Sequence, residues 1–232
     1  MQNSPENFFD TWGTYQKVLA NNHMFHRELG KALQSALHDH FQGRPISILD
    51  LGCGDTSALM PTLQLFAITR YKGIDLSETA LALAGGNLAA LPCPVELTQG
   101  DILGALAKEK STYDLIHCSF ALHHFATREK AEFFKLSASK MKDHGLLVIA
   151  DVVREENETL PLYHERYCAW LRGNFTTLSE DEKGAICDHI TRNDFPEPLS
   201  VLTHQAEEAG LRLAFPFARF GWHWLLVFAR SS

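Results

Sequence analysis

From Ile46 onward, short apolar runs alternate with segments of helical periodicity, and this alternation limits the possible folds more than any other feature of the chain. The runs predict five strands, at Ile46–Leu51, Tyr71–Leu76, Val95–Gly100, Tyr113–Ser119 and Leu146–Asp151. Four of them are followed by predicted helices, which begin near Thr56, Ser77, Ile102 and Thr127. Near-continuous apolar strands that alternate with helices are typical of a parallel sheet covered on both faces. The pattern therefore predicts an α/β fold with a doubly wound, mostly parallel sheet.

The C-terminal stretch predicts two further strands, at Leu211–Phe217 and Trp222–Ala229. A short connection that contains Gly221 joins them, and strands joined so tightly must be antiparallel neighbours. We therefore expect a seven-stranded sheet with an antiparallel hairpin at its end.

Two segments lie outside this alternation. Residues 1–45 predict an N-terminal helical extension, with one helix starting at Ser4 and Pro5 and a second from about Asn22 to Phe41. Residues 152–199 show no strand pattern and predict two helices, near Leu160–Arg172 and Glu180–Thr191. We expect residues 152–199 to form a helical cap inserted into a main domain that spans residues 46–232.

The charge balance disfavours nucleic acid as a partner. The chain of 232 residues has 28 acidic and 21 basic side chains, which gives a formal net charge of −7, and the basic residues are scattered. Proteins that neutralise many phosphates need a clustered basic surface. We therefore expect a small-molecule substrate, while the sequence says nothing of the oligomeric state.

The five cysteines are odd in number and form no Cys-x-x-Cys pair, which suits a reducing compartment without disulfides or a zinc site. The first residues have neither a basic segment nor an apolar run, and the longest apolar stretches are too short to cross a bilayer. These features predict a cytoplasmic protein with no metal site and no membrane association.

A glycine-rich turn follows the first predicted strand, where the sequence reads Asp50-Leu51-Gly52-Cys53-Gly54. Glycines there let the backbone turn sharply and approach a ligand where a Cβ would collide. The start of a following helix would add free N–H groups. Taken alone, the two glycines are also compatible with a tight turn that binds nothing.

Two further acidic residues follow the next two strands in order. Asp75, with Leu76 after it, ends the second strand, where nucleoside-binding folds carry a carboxylate that accepts hydrogen bonds from the ribose. Asp101 and Ile102 follow the third strand and fit a contact with the edge of adenine. The alternative for Asp75 is a charge at the start of a helix.

This series resembles the motifs of the class I S-adenosylmethionine-dependent methyltransferases of the small-molecule type, and the resemblance extends over roughly residues 46–230. It implies that the glycine turn surrounds the methionine part of the cofactor, that Asp75 binds the ribose and that Asp101 and Ile102 bind the adenine. Thr56 stands where the family frequently has a third glycine. The predicted cofactor residues are Tyr15, Asp50, Gly52, Cys53, Gly54, Asp75, Leu76, Asp101, Ile102 and Ser119.

Three alternatives remain open at this point. A nicotinamide dinucleotide would need a third glycine for its pyrophosphate, and Asp50 and Asp55 would repel it, whereas nearby carboxylates suit a cationic sulfonium. A module that binds the cofactor without turnover is the second alternative. A protein or nucleic-acid methyltransferase is the third, and the acidic charge and the predicted cap both speak against it.

Candidate residues for the chemistry lie beyond the fourth and fifth strands. His123 and His124 follow the fourth strand, and either one has a suitable pKa to act as a general base toward a hydroxyl or amine acceptor. A purely structural role is the alternative for both. We expect the acceptor pocket to be lined by Asp151, Tyr163, His164 and Tyr167.

Overall fold

Seven strands form a single sheet in the computed structural model, which describes residues 12–231. In chain order they are β1 (Ile46–Leu51), β2 (Ile68–Asp75), β3 (Val95–Gln99), β4 (Tyr113–Ser119), β5 (Met141–Val152), β6 (Leu211–Phe220) and β7 (His223–Arg230). Their order across the sheet is β3-β2-β1-β4-β5-β7-β6, and only the pairings made by β7 are antiparallel. The predicted mostly parallel sheet with an antiparallel last strand is confirmed.

Burial on both faces explains why the strands are almost continuously apolar. All six residues of β1 are buried. Leu49 and Leu51 belong to the hydrophobic cluster on one face, whereas Ile46 and Ile48 belong to the cluster on the other. Since side chains alternate across a strand, a sheet covered by helices on both sides requires apolar residues at successive positions.

Nine helices accompany the sheet within residues 12–231. They are α1 (Trp12–Ala20), α2 (His26–Phe41), α3 (Met60–Leu63), α4 (Glu78–Leu88), α5 (Ile102–Lys108), α6 (Thr127–Lys140), α7 (Leu160–Asn174), α8 (Glu180–Asn193) and α9 (Leu199–Glu208). Short polar side chains define several starts: Ser77 Oγ accepts a hydrogen bond from Ala80 N at the start of α4, and Ser179 forms a capping box with Glu182 at the start of α8.

Two predicted helix starts are wrong. The helix expected near Thr56 is absent, and only the short α3 forms there, because the backbone at Thr56 is left-handed with φ 65°. The helix expected from Asn22 begins at His26, since Asn22 and Phe25 are also left-handed, with φ 55° and 58°. Single left-handed residues are incompatible with a continuous right-handed helix. The start predicted at Ser4 and Pro5 lies outside the described residues.

Residues 152–199 contain α7 and α8, which pack together with α1 around a third hydrophobic cluster. Val18 of α1 and Val152 of β5 contribute to this cluster, and Lys17 Nζ of α1 lies 2.6 Å from Glu182 Oε1 of α8. The N-terminal helix α1 and the two helices of the predicted cap therefore meet beyond the end of β5. Within residues 12–231, we find no helix with the length and apolar character needed to cross a membrane.

Candidate functional site

A cleft of about 240 Å³ lies where the carboxyl ends of β1, β2 and β4 meet the N-terminal helices. Ligands of open α/β sheets bind at this edge, where the strand order reverses about β1. All ten residues predicted for the cofactor line the cleft: Tyr15, Asp50, Gly52, Cys53, Gly54, Asp75, Leu76, Asp101, Ile102 and Ser119. The structure therefore brings together residues from five separate parts of the chain.

The turn after β1 needs left-handed backbone at three positions. Gly52 has φ 68°, and a Cβ added to it would lie 2.8 Å from the Cβ of Ala121. Gly54 has φ 53°, and a Cβ there would meet nothing within 4 Å, so its backbone faces open space in the cleft. Thr56 has φ 65°, although a β-branched residue is disfavoured in this region. The backbone at Thr56 thus keeps the conformation suited to glycine.

Asp75 connects the end of β2 to the glycine turn. Its Oδ2 accepts a hydrogen bond from Gly54 N at 2.8 Å, and its Oδ1 accepts one from Ser77 N at 2.9 Å. Burial raises the pKa of this carboxyl, although the backbone donors oppose the rise. Each carboxylate oxygen has a second lone pair, so Asp75 can also accept hydrogen bonds from a ligand.

Asp50 is held by two partners that the sequence analysis did not identify. Its Oδ2 accepts a hydrogen bond from the Tyr71 hydroxyl at 2.6 Å, and its Oδ1 lies 2.7 Å from His117 Nδ1. Asp50 and His117 are direct partners in the register of β1 with β4. The sequence alone does not give this pairing, because it depends on β1 and β4 being neighbours in the sheet. His117 also lines the cleft.

Asp101 forms the start of α5. Its Oδ1 accepts a hydrogen bond from Gly104 N at 2.6 Å, while Ile102 packs into the apolar cluster below. Asp101 therefore has a structural role at the helix start as well as a position on the cleft wall.

Tyr15 brings α1 to the acidic side of the cleft. Burial is the largest cause that raises the pKa of its hydroxyl, followed by the charges of Asp55, Asp75 and Asp50. The Tyr15 side chain therefore lies in the same cleft as the carboxylates around the glycine turn.

His26 and Phe120 form part of the opposite wall, and neither was among the predicted site residues. Their ring centroids are 5.0 Å apart. Both ring nitrogens of His26 are buried and have no hydrogen-bond partner among residues 12–231. Burial lowers the pKa of His26 to about 4, so its imidazole is neutral at physiological pH. The sequence signal was weak, since His26 is one of twelve histidines.

The two predicted bases differ in position. His123 is buried and is not among the residues that line the cleft, whereas His124 does line it. His123 Nδ1 lies 2.5 Å from Asp151 Oδ1, and Asp194 lies on the other side of its ring. Burial lowers the pKa of His123, but Asp151 and Asp194 raise it more, to about 9. His124 Nδ1 lies 3.3 Å from Asp194 Oδ1 and 3.2 Å from Asn193 O.

The structure does not place the four predicted substrate residues in the cleft. Asp151 is bound to His123, and His164 Nε2 lies 2.9 Å from the backbone oxygen of Asp194. Tyr163 and Tyr167 stack within the third hydrophobic cluster, with ring centroids 5.4 Å apart. These aromatic rings are buried because α7 needs an apolar face against the sheet and α8. The expectation that they line the acceptor pocket is therefore corrected.

The sequence that builds the cleft matches a known family. Residues 48–145, which include the glycine turn and the carboxylates that end β2 and β3, match the model described as "Methyltransferase domain". Residues 48–145 are therefore similar in sequence to a methyltransferase domain. This domain ends within β5, so α7, α8 and the final hairpin lie outside the matched range.

The complete fold is similar to solved structures of methyltransferases at low sequence identity. Magnesium protoporphyrin IX methyltransferase from Synechocystis PCC 6803, solved with bound SAH, has a TM-score of 0.66 and 15% identity over 97% of this chain and 98% of that protein. An O-methyltransferase family protein from Burkholderia thailandensis has a TM-score of 0.62 and 21% identity over 88% of this chain and 57% of that protein.

A third similar structure is the O-methyltransferase family 2 protein from Planctomyces limnophilus, in complex with apigenin. Its TM-score is 0.60 and its identity 18%, over 80% of this chain and 50% of that protein. The chain thus spans about half the length of these two O-methyltransferases. A search of curated protein sequences found no match.

Proposed function

We propose that this chain transfers the methyl group of S-adenosylmethionine to a small-molecule acceptor. The observation that carries the proposal is the single cleft in which the glycine turn, Asp75 and Asp101 of the methyltransferase domain meet. Two similar structures support the cofactor and the substrate class, since one contains SAH and another contains apigenin.

The residues of the cleft fit this cofactor. Gly54 exposes its backbone to open space, so a ligand can approach the turn closely. Thr56 lines the cleft, and its Oγ1 is buried without a hydrogen-bond partner among the described residues. A buried hydroxyl without a partner is costly, and a polar ligand group would satisfy it. The carboxylates of Asp50, Asp55 and Asp75 suit a cation and would repel a pyrophosphate.

We assign a role to each end of the cofactor. Asp75 accepts the ribose hydroxyls with its remaining lone pairs, and Asp101 with Ile102 binds the adenine. The glycine turn, with the Thr56 hydroxyl, holds the methionine part. Tyr15 closes the site from α1, where its buried hydroxyl lies in the same cleft as the carboxylates.

The acceptor site lies against the apolar part of the same cleft. The lining there is contributed by Leu29, Leu33, Leu59, Phe120, Ala121, Phe125 and Leu225. A mostly apolar wall with a few polar groups binds a compound of similar character and excludes water. The two neutral nitrogens of His26 are the polar groups that we assign to the acceptor.

The bound cofactor supplies an electrophilic methyl group that an acceptor attacks in line. The chain contributes mainly alignment and exclusion of water, and proximity of this kind supplies about 7–11 kcal/mol. A neutral His26 accepts a hydrogen bond from a hydroxyl or amine and directs its lone pair. Its low pKa makes it a weak base toward the released proton, so its role is to orient the acceptor.

Of the two predicted bases, His124 lines the cleft and has access to the acceptor, whereas His123 does not line it.

We also propose that residues 1–45 and 152–199 serve the main domain as an N-terminal extension and a cap. The cap contributes through its contacts: it packs against α1 in the third hydrophobic cluster, and Asn193 O contacts His124 of the segment after β4, and both of these parts line the cleft. Its aromatic residues therefore affect the acceptor site indirectly, by supporting the segments that line the cleft.

Incubation with methyl-labelled S-adenosylmethionine and a metabolite extract tests this function. We expect a labelled small molecule that is absent when Asp75 is replaced by alanine. If the protein binds the cofactor but labels no compound, it is a binding module. If label appears only on protein or nucleic acid, the acceptor class is wrong.

A further inference from the structure

Asp194, which follows α8, directs one carboxylate oxygen toward three imidazole rings. Its Oδ1 lies 3.3 Å from His124 Nδ1, 3.7 Å from His123 Nε2 and 3.9 Å from His189 Nε2. Asp194 is buried, and this oxygen has no hydrogen-bond partner among residues 12–231. A buried carboxylate oxygen ordinarily draws its donors to hydrogen-bond distance. Here His123 Nε2 and His189 Nε2 lie beyond hydrogen-bond distance, and His124 Nδ1, at 3.3 Å, makes no hydrogen bond of suitable geometry to this oxygen.

The two shorter separations, 3.3 and 3.7 Å, are close to those between the ligands of a tetrahedral metal ion. With metal–nitrogen and metal–oxygen bonds of about 2.0–2.2 Å, neighbouring ligand atoms lie about 3.3–3.6 Å apart. One donor atom from each of His123, His124 and Asp194 lies within 4.8 Å of the others. We propose that His123, His124 and Asp194 bind one divalent transition-metal cation of the zinc type, and that His189, whose Nε2 lies 3.9 Å from Asp194 Oδ1, supplies a fourth ligand.

A second carboxylate orients the first ligand. Asp151 Oδ1 lies 2.5 Å from His123 Nδ1, on the opposite side of the ring from Asp194. A carboxylate that accepts a hydrogen bond from the N–H of one imidazole nitrogen leaves the lone pair of the other nitrogen free to bind a metal, and most histidine ligands have such a partner. The unusual placement of two acids on one buried histidine is thereby explained.

The donor set and the access route agree with this ion. Imidazole nitrogens with one carboxylate suit zinc and its neighbours and are a poor set for magnesium or calcium. His124 also lines the cleft, and 25% of its side chain is exposed, so an ion has a path to the site. Ligation by His124 replaces the general-base role predicted for it.

The ion would join two parts of the chain that are distant in sequence. His123 and His124 belong to the turn that follows β4, while His189 and Asp194 belong to α8 and the residue after it. The cysteine pattern predicts no metal site, because this donor set contains no cysteine and its two pairs of ligands are far apart in the sequence. Here the cap and the main domain each supply one half of the site, and the proposal does not depend on methyl transfer.

Zinc binding by the full chain tests the proposal. Protein treated with a chelator, and then freed of it, is titrated with zinc chloride by calorimetry. We expect one zinc ion per chain, a higher melting temperature with zinc, and intense visible absorption when cobalt(II) replaces zinc, as tetrahedral cobalt gives. We expect Asp194→Asn and His189→Gln each to weaken zinc binding at least about tenfold, and Asp151→Asn to weaken it about 10–100-fold.

His204→Gln is the matched control, because His204 is an exposed histidine on α9 whose Nε2 lies 3.7 Å from Glu208 Oε1 on the next turn. It should bind zinc like the unaltered chain. Circular dichroism of the metal-free variants establishes that they fold, and His189→Gln keeps the buried carboxylate if Asp194→Asn does not fold. The proposal is overturned if the unaltered chain takes up no stoichiometric zinc. It is equally overturned if folded His189→Gln binds zinc as tightly as the control.

Discussion

At the scale of single residues, Thr56 has two features that a turn between a strand and a helix does not require. It keeps a left-handed backbone despite its branched side chain, and its buried hydroxyl has no partner among the described residues. Both features are costly to the fold. We interpret them as the consequence of presenting the hydroxyl to the cofactor.

Replacing Thr56 by valine keeps the shape and the branching but removes the hydroxyl. We expect SAH to bind about 2–10-fold more weakly, because one hydrogen bond contributes about 0.5–1.5 kcal/mol. The unbound variant should be at least as stable as the unaltered chain. Calorimetry and thermal melting measure the two effects.

Thr62→Val is the control for this prediction. Thr62 also lines the cleft, but its Oγ1 already accepts a hydrogen bond from Gln34 Nε2 at 3.3 Å. Its replacement should lower stability and leave SAH affinity unchanged. If Thr56→Val lowers stability with no effect on SAH, Thr56 has only a structural role.

His26 is the second test at this scale. We expect His26→Ala to lower turnover at least about tenfold, or 1.4 kcal/mol, with an unchanged dissociation constant for SAH. Since the pKa of His26 is about 4, its loss should not alter the shape of the pH–rate profile between about pH 6 and 9. His38→Ala, an exposed change on the same helix, is the control. Weakened SAH binding by His26→Ala would place His26 in the cofactor site instead.

At the scale of elements, α7 and β7 are joined by one buried polar contact. The Tyr167 hydroxyl lies 2.8 Å from His223 Nε2, and burial lowers the pKa of His223 to about 3. His223 is neutral in the folded chain but becomes protonated in the unfolded chain below its usual pKa of about 6.5. Because the unfolded chain then binds more protons, the stabilisation that comes from the buried, neutral His223 is complete above about pH 6.5 and is lost as the pH falls toward 3.

We therefore expect the free energy of unfolding to decrease on acidification below about pH 6.5, by up to about 1.4 kcal/mol per pH unit from this one group. His223→Gln should unfold more easily at pH 7 and show a shallower decrease with acid. Denaturant titrations at several pH values measure the slope, and exposed His38→Gln should keep it unchanged. An equal slope in His223→Gln would show that other groups dominate acid unfolding.

The elements also show what the sequence could predict. Strand positions and the parallel order followed from apolar runs, because burial on both faces leaves a continuous signal along each strand. The helix predicted from Thr56 does not form there, because the left-handed backbone of this one residue is incompatible with a right-handed helix. The positions of the glycine turn, Asp75 and Asp101 on the cleft were predictable because each lies at the end of its own strand, whereas the Asp50–His117 pair depends on register between strands.

At the scale of the molecule, the cleft is completed by helices from outside the matched domain. Tyr15 and His26 come from the first two described helices, and the cap packs behind them. Tyr163 and Tyr167 were misplaced by the sequence analysis because an aromatic helical face looks the same whether it lines a pocket or a core. Only the three-dimensional arrangement of α7 and α8 distinguishes these cases.

A ligand that binds only the folded chain must stabilise it. At about 100 times its dissociation constant, SAH should add about 2.7 kcal/mol to the free energy of unfolding. For a chain of this size, that corresponds to about 5–10 °C in melting temperature. Scanning fluorimetry at several SAH concentrations measures the shift, and NAD at the same concentrations should produce none.

Calorimetric titration of the unaltered chain and of Asp75→Ala with SAH tests the central claim most directly. The account predicts one SAH per unaltered chain and an affinity at least about tenfold lower for Asp75→Ala, equivalent to 1.4 kcal/mol, with both proteins folded. No binding to the unaltered chain, or equal affinity in folded Asp75→Ala, would contradict it.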